Sequence, residues 1–587
     1  MSSISFYDWG EPDWKATEIA GKYQEWQSYK EPAMNNWEEI EAYLYATDTT
    51  SLNDAFDHTT HIPILAEIKE DLEAILYSTI LPHDDWLGWR PYDLGAATLE
   101  KRDKALAYIN NRNNLNGFRH TMRNLIHDYI VYGNAFVMSH HVNENKIDDN
   151  GNMVAGYFGP KPKRISPYDI SFDPTVEDFD KSPKIVRVMM SMGEFFQHAE
   201  ENGWNKDAVQ QVLDRRGTGR NTSFEEQHKN QQYTPEGFNS IEAYMQSGQV
   251  EVLWFYGDIW DDHDQALYKG RCIAVVDRFN VLFDREQLTT RIHKAGWGLR
   301  PDNLWAQSPL AKVVGMNYQI NHRENAKSTA MDKFIYPDRI LAGDVEEVYD
   351  DETGQVRYLA NEGGTVTDIT PDSSVLSFDS HIDRLTFQAR AAARLPQQLA
   401  GFRTAGEKTL GEVQMLQDGA FRGFVHKAEQ FEIDLLEPLI TDMIEIGGEY
   451  FSEAMTASVE TDEGIRYINI TQDDLRSNGK LVPYGARRFA RDLQQMNMIN
   501  QLANGNMMQV IAPHVNTGNL AKTLERLGGF ERYEFIEKFA ALDEQAEMQM
   551  KQNAVEQAQQ GQMMNPSLGE VEMEAALGAT QDTSVPE

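Results

Sequence analysis

The amino-acid sequence predicts an α+β protein that is predominantly helical and is divided into several domains. The chain has 587 residues, which is long enough to bury more than one hydrophobic core. Apolar residues recur at steps of three or four from Val413 to Met443, which indicates one unusually long helix. Short strands bounded by turns occur between residues 135 and 281 and again between 338 and 372. These patterns predict helices organised around two separate β regions.

The N-terminal part, up to residue 304, alternates helices with antiparallel strands. Residues 13–46 predict two helices, because Pro32 lacks a backbone donor and clashes with the preceding turn. Residues 216–248 are polar and nearly free of aliphatic side chains, so we predict a loop there. The other predicted elements are helices at 62–80, 98–111, 117–132, 194–202 and 206–215, strands at 135–141, 184–191, 251–260 and 271–281, and a hairpin at 146–158 that turns at Asp149-Asn150-Gly151.

The middle of the chain predicts a helix, a small β module and a second helix. Ser308 and Pro309 favour the start of a helix, which should run to about Phe334. Residues 338–372 then change to short strands and tight turns, including the hairpin EVYDDETGQVRYL. A second helix over 378–395 ends at a proline.

The long helix is predicted to begin at a capping box. Thr409 precedes Glu412 by three residues, so each side chain can bind the other residue's backbone N–H. A helix from Leu410 to Ile446 would be roughly 55 Å long at about 1.5 Å per residue. We expect a bend at Pro438 and an end at Gly447-Gly448.

Two further predictions concern the C-terminal third of the chain. Gly419 and Gly423 lie on one face of the long helix, where they are either tolerated surface glycines or a site at which another helix approaches closely. Residues 466–470 predict a strand, and residues 486–560, which are rich in Met, Gln and Ala, predict helices. The tail at 561–587 has no periodicity and is predicted to be disordered.

A short basic window, from Arg384 to Lys408, covers the end of the second helix and the loop that leads to the long helix. It contains five basic residues and one acid, Glu407, so five minus one gives a local charge of +4 in a chain of formal charge −38. Either these side chains are ordinary salt-bridge partners on a solvated surface, or a flexible loop from Ala400 to Gly406 holds some of them against a polyanion. The basic residues are Arg384, Arg390, Arg394, Arg403 and Lys408.

The composition disfavours several classes of protein. A charge of −38 argues against a protein that coats DNA by neutralising phosphates, but it allows an acidic pore through which DNA slides, and it also keeps a large assembly soluble. No apolar run approaches the ~18 residues of a membrane span, and the N-terminus lacks a signal-peptide pattern. The single cysteine, Cys272, excludes an internal disulfide and fits a reducing cytoplasm. Its apolar neighbours predict a buried strand residue rather than a nucleophile.

The sequence contains no complete motif for catalysis or cofactor binding. Gly401 to Thr409 has glycines at the spacing of a phosphate-binding loop, but Glu407 separates the second glycine from the lysine. His140-His141 and residues 260–264 hold metal-ligand types without the spacing of a metal site, and Lys146 stands where an EF-hand loop needs its first ligand. We therefore predict no metal, no cofactor and no enzymatic activity.

Three stretches of the sequence, taken with the order of the predicted elements, carry a resemblance to a known family. They are FRTAGEKTLGEV with the helix that follows it, HTMRNLIHDYIVYGNAFVM and RISPYDISFDPTVEDFDKSPKIV. The combination resembles the portal (head–tail connector) proteins of tailed bacteriophages, most of all those of short-tailed phages, the podoviruses. The resemblance covers most of the chain and implies a portal fold with these segments: an N-terminal wing at 1–304, stem helix one at 305–336, a clip at 337–376, stem helix two at 377–397, a tunnel loop at 398–408, the long wing helix and a return strand at 409–485, a helical crown at 486–560 and the tail at 561–587.

The resemblance also implies a function and a location. Twelve copies would form a ring at one capsid vertex of the virion, after synthesis in the host cytoplasm, and double-stranded DNA would pass through the channel during packaging and ejection. Arg390, Arg394, Arg403 and Lys408 would line or approach that channel and contact phosphates without regard to base sequence.

The remaining implied partners are proteins, with no role for a membrane. The clip would dock the large terminase and later the tail adaptor proteins through its hairpin tip, and the ring would also bind capsid and scaffold proteins. Two other hypotheses compete with this one, namely a packaging-associated ATPase or nuclease and a virion scaffold protein that forms no ring. The hairpin tip consists of Asp350, Asp351, Glu352, Thr353 and Gly354.

Overall fold

The fold combines α-helices with antiparallel β-sheets, as the sequence predicted. The computed structural model describes residues 13–45, 58, 60–81, 86–91, 96–147, 153–214, 250–261, 265–276, 278, 280–287, 290–349, 356–361, 363–370, 378–395, 423–450, 455–461, 464–475 and 479–486. Within these ranges, no helix is long and apolar enough to cross a membrane. The capping box at Thr409, the 216–248 segment, Gly419 and the predicted C-terminal helices and tail lie outside them.

Most helices follow the predicted positions with small shifts at their ends, but the helix predicted to start at Ser308-Pro309 begins only at Val314, after a 3₁₀ turn at Leu310–Lys312. In chain order they are α1 (Trp14–Tyr45), α2 (Ile64–Ile80), α3 (Ala96–Leu115), α4 (Phe118–Val131), α5 (Met192–Asn202), α6 (Lys206–Asp214), α7 (Val314–Ile335), α8 (Phe378–Ala392), α9 (423–450) and α10 (Gln472–Leu475).

The first helix corrects the prediction that Pro32 breaks residues 13–46 into two helices. α1 runs through Pro32 without interruption for 32 residues. Its apolar side chains are buried on both sides of the proline: Trp26 packs in a cluster with the outer sheet described below, and Trp37 packs in the central core. Because burial of each large side chain is worth about 1.5–3 kcal/mol, packing along the whole helix offsets the local cost of one proline.

The described strands pair antiparallel. In chain order they are β1 (Leu87–Pro91), β2 (Asn134–Ile147), β3 (Met153–Ile165), β4 (Ile170–Phe172), β5 (Lys184–Met190), β6 (Val250–Asp261), β7 (Ala266–Val276), β8 (Asn280–Glu286), β9 (Ile292–Gly296), β10 (Gly298–Arg300), β11 (Asn303–Gln307), β12 (Asp338–Ala342), β13 (Val345–Tyr349), β14 (Val356–Ala360), β15 (Thr365–Ile369), β16 (Met455–Thr461), β17 (Gly464–Ile470) and β18 (Gly479–Pro483).

A five-stranded sheet with the order β4-β5-β6-β7-β8 forms the outer part of the N-terminal region. α5 and α6 pack on one face through Phe195 and Val209, with Trp204 from the segment that joins them, and the start of α1 covers the other face through Ile19. The structure corrects the single strand predicted at 271–281, because the chain reverses between β7 and β8 at Arg278, which has a φ of 60°. The predicted hairpin at 146–158 is confirmed by the pairing of β2 with β3.

The central core lies between the three-stranded sheet β3-β2-β9 and the helices α2, α4 and α9. Tyr129 of α4 meets Phe431 of α9 with ring centroids 5.0 Å apart. An ion pair joins β3 to α4 beside this core. Arg164 on β3 donates two hydrogen bonds, of 2.5 and 2.7 Å, to the buried carboxylate of Asp128 on α4. The long helix α9 therefore packs directly on the N-terminal region.

The long helix α9 contains a π turn directly before Pro438, the residue at which the sequence predicts a bend. The turn comprises Glu432–Leu436, and the backbone N–H of Glu437 bonds the carbonyl of Glu432. This wider turn makes room for a proline that cannot bond the carbonyl four residues earlier.

The predicted end of α9 at Gly447-Gly448 is wrong, because the helix continues to Tyr450. Gly447 does not terminate the helix but allows close packing of α9 against α3. A Cβ at this position would collide with the ring of Tyr108 on α3. The glycine therefore lets α9 approach α3 more closely than any other residue would.

A buried carboxyl group lies where α1 meets the core. Glu41 is 1% exposed and accepts hydrogen bonds from the hydroxyls of Tyr132, at 2.6 Å, and Tyr168, at 3.2 Å. Burial raises the pKa of Glu41 from 4.5 to about 7, although the two tyrosine hydrogen bonds act in the opposite direction. Because the folded state binds the proton more tightly than the unfolded chain does, this group opposes folding increasingly as the pH rises from about 4.5 to about 7.

The substitution Glu41→Gln is therefore expected to stabilise the protein above neutral pH and to have little effect in mild acid. The gain should approach about 3 kcal/mol, since one pKa unit corresponds to about 1.4 kcal/mol. Melting temperatures of the variant and the wild type, compared across pH, measure this difference. Glu39→Gln, on an exposed position of the same helix, is the control. Parallel pH profiles for Glu41→Gln and the wild type would contradict the assignment.

Candidate functional site

The region from α7 to α8 has a far end, residues 331–370, that lacks a hydrophobic core of its own within the described residues. Between residues 331 and 370, no residue whose side-chain exposure the structure describes is buried. β12 pairs with β15 and β13 pairs with β14, which makes two separate two-stranded sheets. Two-stranded sheets are marginally stable in water unless another surface covers them. The predicted β module is confirmed, and by itself it lacks the burial that would stabilise it.

Large apolar side chains cluster on this exposed end. Tyr336 is 79% exposed, Ile335 67% and Ile340 54%. Several large apolar side chains exposed in one region are unusual on a monomer and indicate a site of protein contact. The other large apolar residues exposed in this region are Met331, Phe334, Leu341 and Ile369.

The near end of α7, in contrast, carries three buried asparagines at four-residue spacing, two of which bond the backbone of the segment before α2. Asn325 accepts a hydrogen bond from the backbone N–H of Thr60 at 2.8 Å and donates to its carbonyl, and Asn321 accepts from the backbone N–H of Ile62 at 3.0 Å. The backbone of the segment before α2 is thus hydrogen-bonded to side-chain amides of α7. The asparagines are Asn317, Asn321 and Asn325. The two ends of one helix therefore have opposite environments.

The structure places the basic residues Arg390 and Arg394 in different surroundings. Arg390, near the end of α8, is buried, and its guanidinium donates to the Glu67 carboxylate on α2 at 2.9 Å. It also acts on Asp71, one turn further along α2, where burial raises the pKa of that carboxyl and the charge of Arg390 lowers it. In the single chain Arg390 therefore joins α8 to α2.

Arg394 lies just beyond the end of α8 and is exposed. Its backbone has a φ of 60°, a left-handed conformation that is uncommon for residues other than glycine. Its side chain lines a small cavity together with Lys312 from the 3₁₀ turn Leu310–Lys312. Arg403, Lys408 and the hairpin tip from Asp350 to Gly354 lie outside the described residues, so the structure does not place them.

Two lysines beside Arg394 were not singled out from the sequence. Lys312 lines the same cavity, and Lys427 on α9 donates to the carbonyl of Trp297 in the cavity wall at 2.5 Å. Burial lowers the pKa of Lys427, and the positive charges of Arg394 and Lys312 lower it further. No local pattern marks these lysines, because the three cations come from segments that are far apart in the sequence.

The remaining chemistry-bearing residues have structural surroundings. Cys272 is buried on β7, as predicted, and burial raises the pKa of its thiol to about 11, so it is not a reactive thiolate at neutral pH. Burial and the charges of Lys163 and Lys161 lower the pKa of His140 to about 4. His141 stacks on Tyr450 with centroids 4.1 Å apart. Across the ranges that the structure describes, no group of His, Cys, Asp or Glu side chains has the arrangement of a metal site.

Comparison with known proteins gives no family for this chain. Neither protein-family models nor curated protein sequences show a match.

Proposed function

We propose that this chain is the subunit of a portal ring of a tailed bacteriophage, a structural protein through which double-stranded DNA enters and leaves the capsid. The observation that carries the proposal is the order α7, β module, α8. Buried asparagines hold the near end of α7, and in residues 331–370 no residue whose side-chain exposure the structure describes is buried. That order is the stem–clip–stem order of the portal proteins that the sequence resembles.

A closed ring supplies the contact that the single chain lacks. In a head-to-tail ring each chain covers a different surface of its neighbour, so the exposed apolar end of α7 and the β module of one chain can be buried by the next. Twelve chains of 67.0 kDa give a particle of about 0.8 MDa. In this proposal the clip tip, Asp350 to Gly354, remains on the rim and docks the large terminase during packaging and tail adaptor proteins afterwards.

The charge distribution is compatible with passage of DNA. A chain of charge −38 does not hold DNA over a broad surface, whereas rings of Arg394, Arg403 and Lys408 around an axis would contact successive phosphates weakly. Arg390 is a less suitable contact, because its ion pair with Glu67 already occupies it within the chain.

Particle mass tests the proposal most directly. Purified full-length protein, alone or after assembly with its scaffold protein, should give closed rings in negative-stain images and a mass of about 0.8 MDa, which is twelve times 67.0 kDa. A monodisperse monomer or dimer under both conditions would reject a ring. ATP hydrolysis or DNA cleavage by that purified chain would instead favour the packaging-enzyme hypothesis.

Neutralising the loop charges tests the channel assignment. Arg403→Gln combined with Lys408→Gln should leave rings intact and reduce DNA packaging or retention, with a difference that shrinks as salt rises, because screening weakens contacts to phosphate. The matched control is Lys181→Gln with Lys269→Gln, which removes the same charge from exposed positions in the N-terminal region. If the loop variant packages and retains DNA like wild type across the salt series, its two residues are ordinary surface charges.

A further inference from the structure

A small cleft lies where α8 ends beside the 3₁₀ turn before α7. It has a volume of about 40 Å³ and is lined by Trp297, Gln307, Ser308, Lys312 and Arg394, among others. At about 10–15 Å³ for each water-sized probe, this volume admits either about three waters or one small tetrahedral ion. The cleft combines two cationic side chains with neutral walls.

The charge of the cleft is not neutralised within the described part of the chain. No described carboxylate forms an ion pair with Lys312 or Arg394. Lys427 adds a third positive charge behind Trp297, and its lowered pKa reflects burial first and then repulsion from Arg394 and Lys312. Asp434 opposes this repulsion but also acts on Lys294, and burial raises the pKa of Asp434 itself. The cluster therefore has excess positive charge that an anion would relieve.

Backbone hydrogen bonds at the end of α8 hold Arg394 in position. Arg394 has its left-handed φ of 60° directly after α8, where its N–H bonds the carbonyl of Ala391 at 3.1 Å. The N–H of Leu395 also bonds the carbonyl of Arg390 at 3.1 Å, so two hydrogen bonds fix the end of the helix and the position of Arg394. This position brings the guanidinium to the same cleft as the Lys312 ammonium.

We propose that this cleft binds a phosphate group, with Arg394 and Lys312 as its direct ligands and Lys427 as a supporting charge. A guanidinium offers parallel N–H donors to two oxygens of one tetrahedral anion, and the neighbouring ammonium contacts a third. The phosphate belongs either to a DNA backbone or to free phosphate, and the first source rests on the proposed portal function. The site differs from the loop residues Arg403 and Lys408, since its cations come from the segment just after α8, the 3₁₀ turn and α9.

Titration of the full-length protein with inorganic phosphate tests the site. At constant ionic strength, phosphate should raise the melting temperature of the wild type and of the Lys181→Gln, Lys269→Gln control. In the Lys312→Gln, Arg394→Gln variant its apparent affinity should fall by about tenfold or more, the effect of losing roughly one charge-assisted interaction. Circular dichroism confirms that the variant is folded. An equal phosphate response in variant and wild type, or no response in either, overturns the proposal.

A second arm identifies the source of the phosphate. A short DNA duplex that competes with inorganic phosphate in the wild type, but not in the Lys312→Gln, Arg394→Gln variant, assigns the site to a DNA backbone. Phosphate binding that the duplex does not reduce keeps the site and assigns free phosphate to it. The two proposals can be rejected independently. Rings that show no phosphate response reject the phosphate site, and a phosphate response in a chain that forms no ring rejects the portal function.

Discussion

Replacing Ile335 and Tyr336 with aspartate is expected to abolish assembly of the proposed ring and to leave a folded monomer of 67.0 kDa. The two side chains are 67% and 79% exposed in the single chain, so their loss removes little from its own stability, within about 0.5 kcal/mol for ordinary surface substitutions. In a ring, the same positions would place carboxylates in an apolar contact. Burying an unpaired charge costs several kcal/mol or more, and a ring repeats that cost at each interface.

Sedimentation of the purified variant measures this effect as a change from about 0.8 MDa, twelve chains of 67.0 kDa, to the mass of one chain. Leu115→Asp with Leu267→Asp is the matched control, because it adds the same charges at exposed apolar residues that belong to the N-terminal region. The control should remain assembled. An Ile335→Asp, Tyr336→Asp protein that still sediments as a ring would show that the far end of α7 is not part of the interface.

The substitution Glu251→Gln is expected to destabilise the N-terminal region by about 3–5 kcal/mol, the range for breaking a buried ion pair by removing one partner. The Glu251 side chain is 9% exposed and the Arg187 side chain 2%. Arg187 donates to Glu251 at 2.8 Å, and Arg278 donates to it at 3.0 and 3.1 Å. Glutamine keeps the shape but loses the charge, so both guanidinium groups lose this counter-ion.

The pH dependence of this network follows from the direction of the pKa shift. Burial alone would raise the pKa of Glu251, but hydrogen bonds and charge from Arg278 and Arg187 outweigh it and hold the pKa below its ordinary value. The stabilisation is therefore present above the ordinary carboxyl pKa and is lost as the pH falls through the lowered value. Urea midpoints at neutral pH should separate Glu251→Gln from wild type and from Glu144→Gln, whose exposed pair with Lys161 is worth at most about 1 kcal/mol. Equal midpoints for all three proteins would mean that the buried network contributes nothing net.

Local patterns predicted most element positions because periodicity and end signals act over a few residues. The strands at 184–191 and 251–260, the β module and the helix after it are found where the sequence predicted them. The errors occur where a local signal competes with packing. Pro32 does not break α1, and Gly447-Gly448 do not end α9, since buried contacts on both sides of each site outweigh the local preference.

The basic window shows the same limit at the level of function. Arg390 and Arg394 are four residues apart and carry the same charge, yet the first is buried against Glu67 and the second lines an open cleft. Sequence order alone does not distinguish them. The lysines that complete the cleft, Lys312 and Lys427, come from other elements and have no pattern of their own.

Three properties of this protein can be read from the chain before it folds: the kind and order of most elements, the isolated β module between two helices, and the concentration of positive charge in one short window of an acidic chain. They depend on side-chain spacing and composition alone. The tertiary structure determines which charges form ion pairs, which side chains remain exposed at the end of α7, and which cations share the cleft beside Arg394. Those properties depend on contacts between residues far apart in the chain, where burial and ion pairing exceed any local preference.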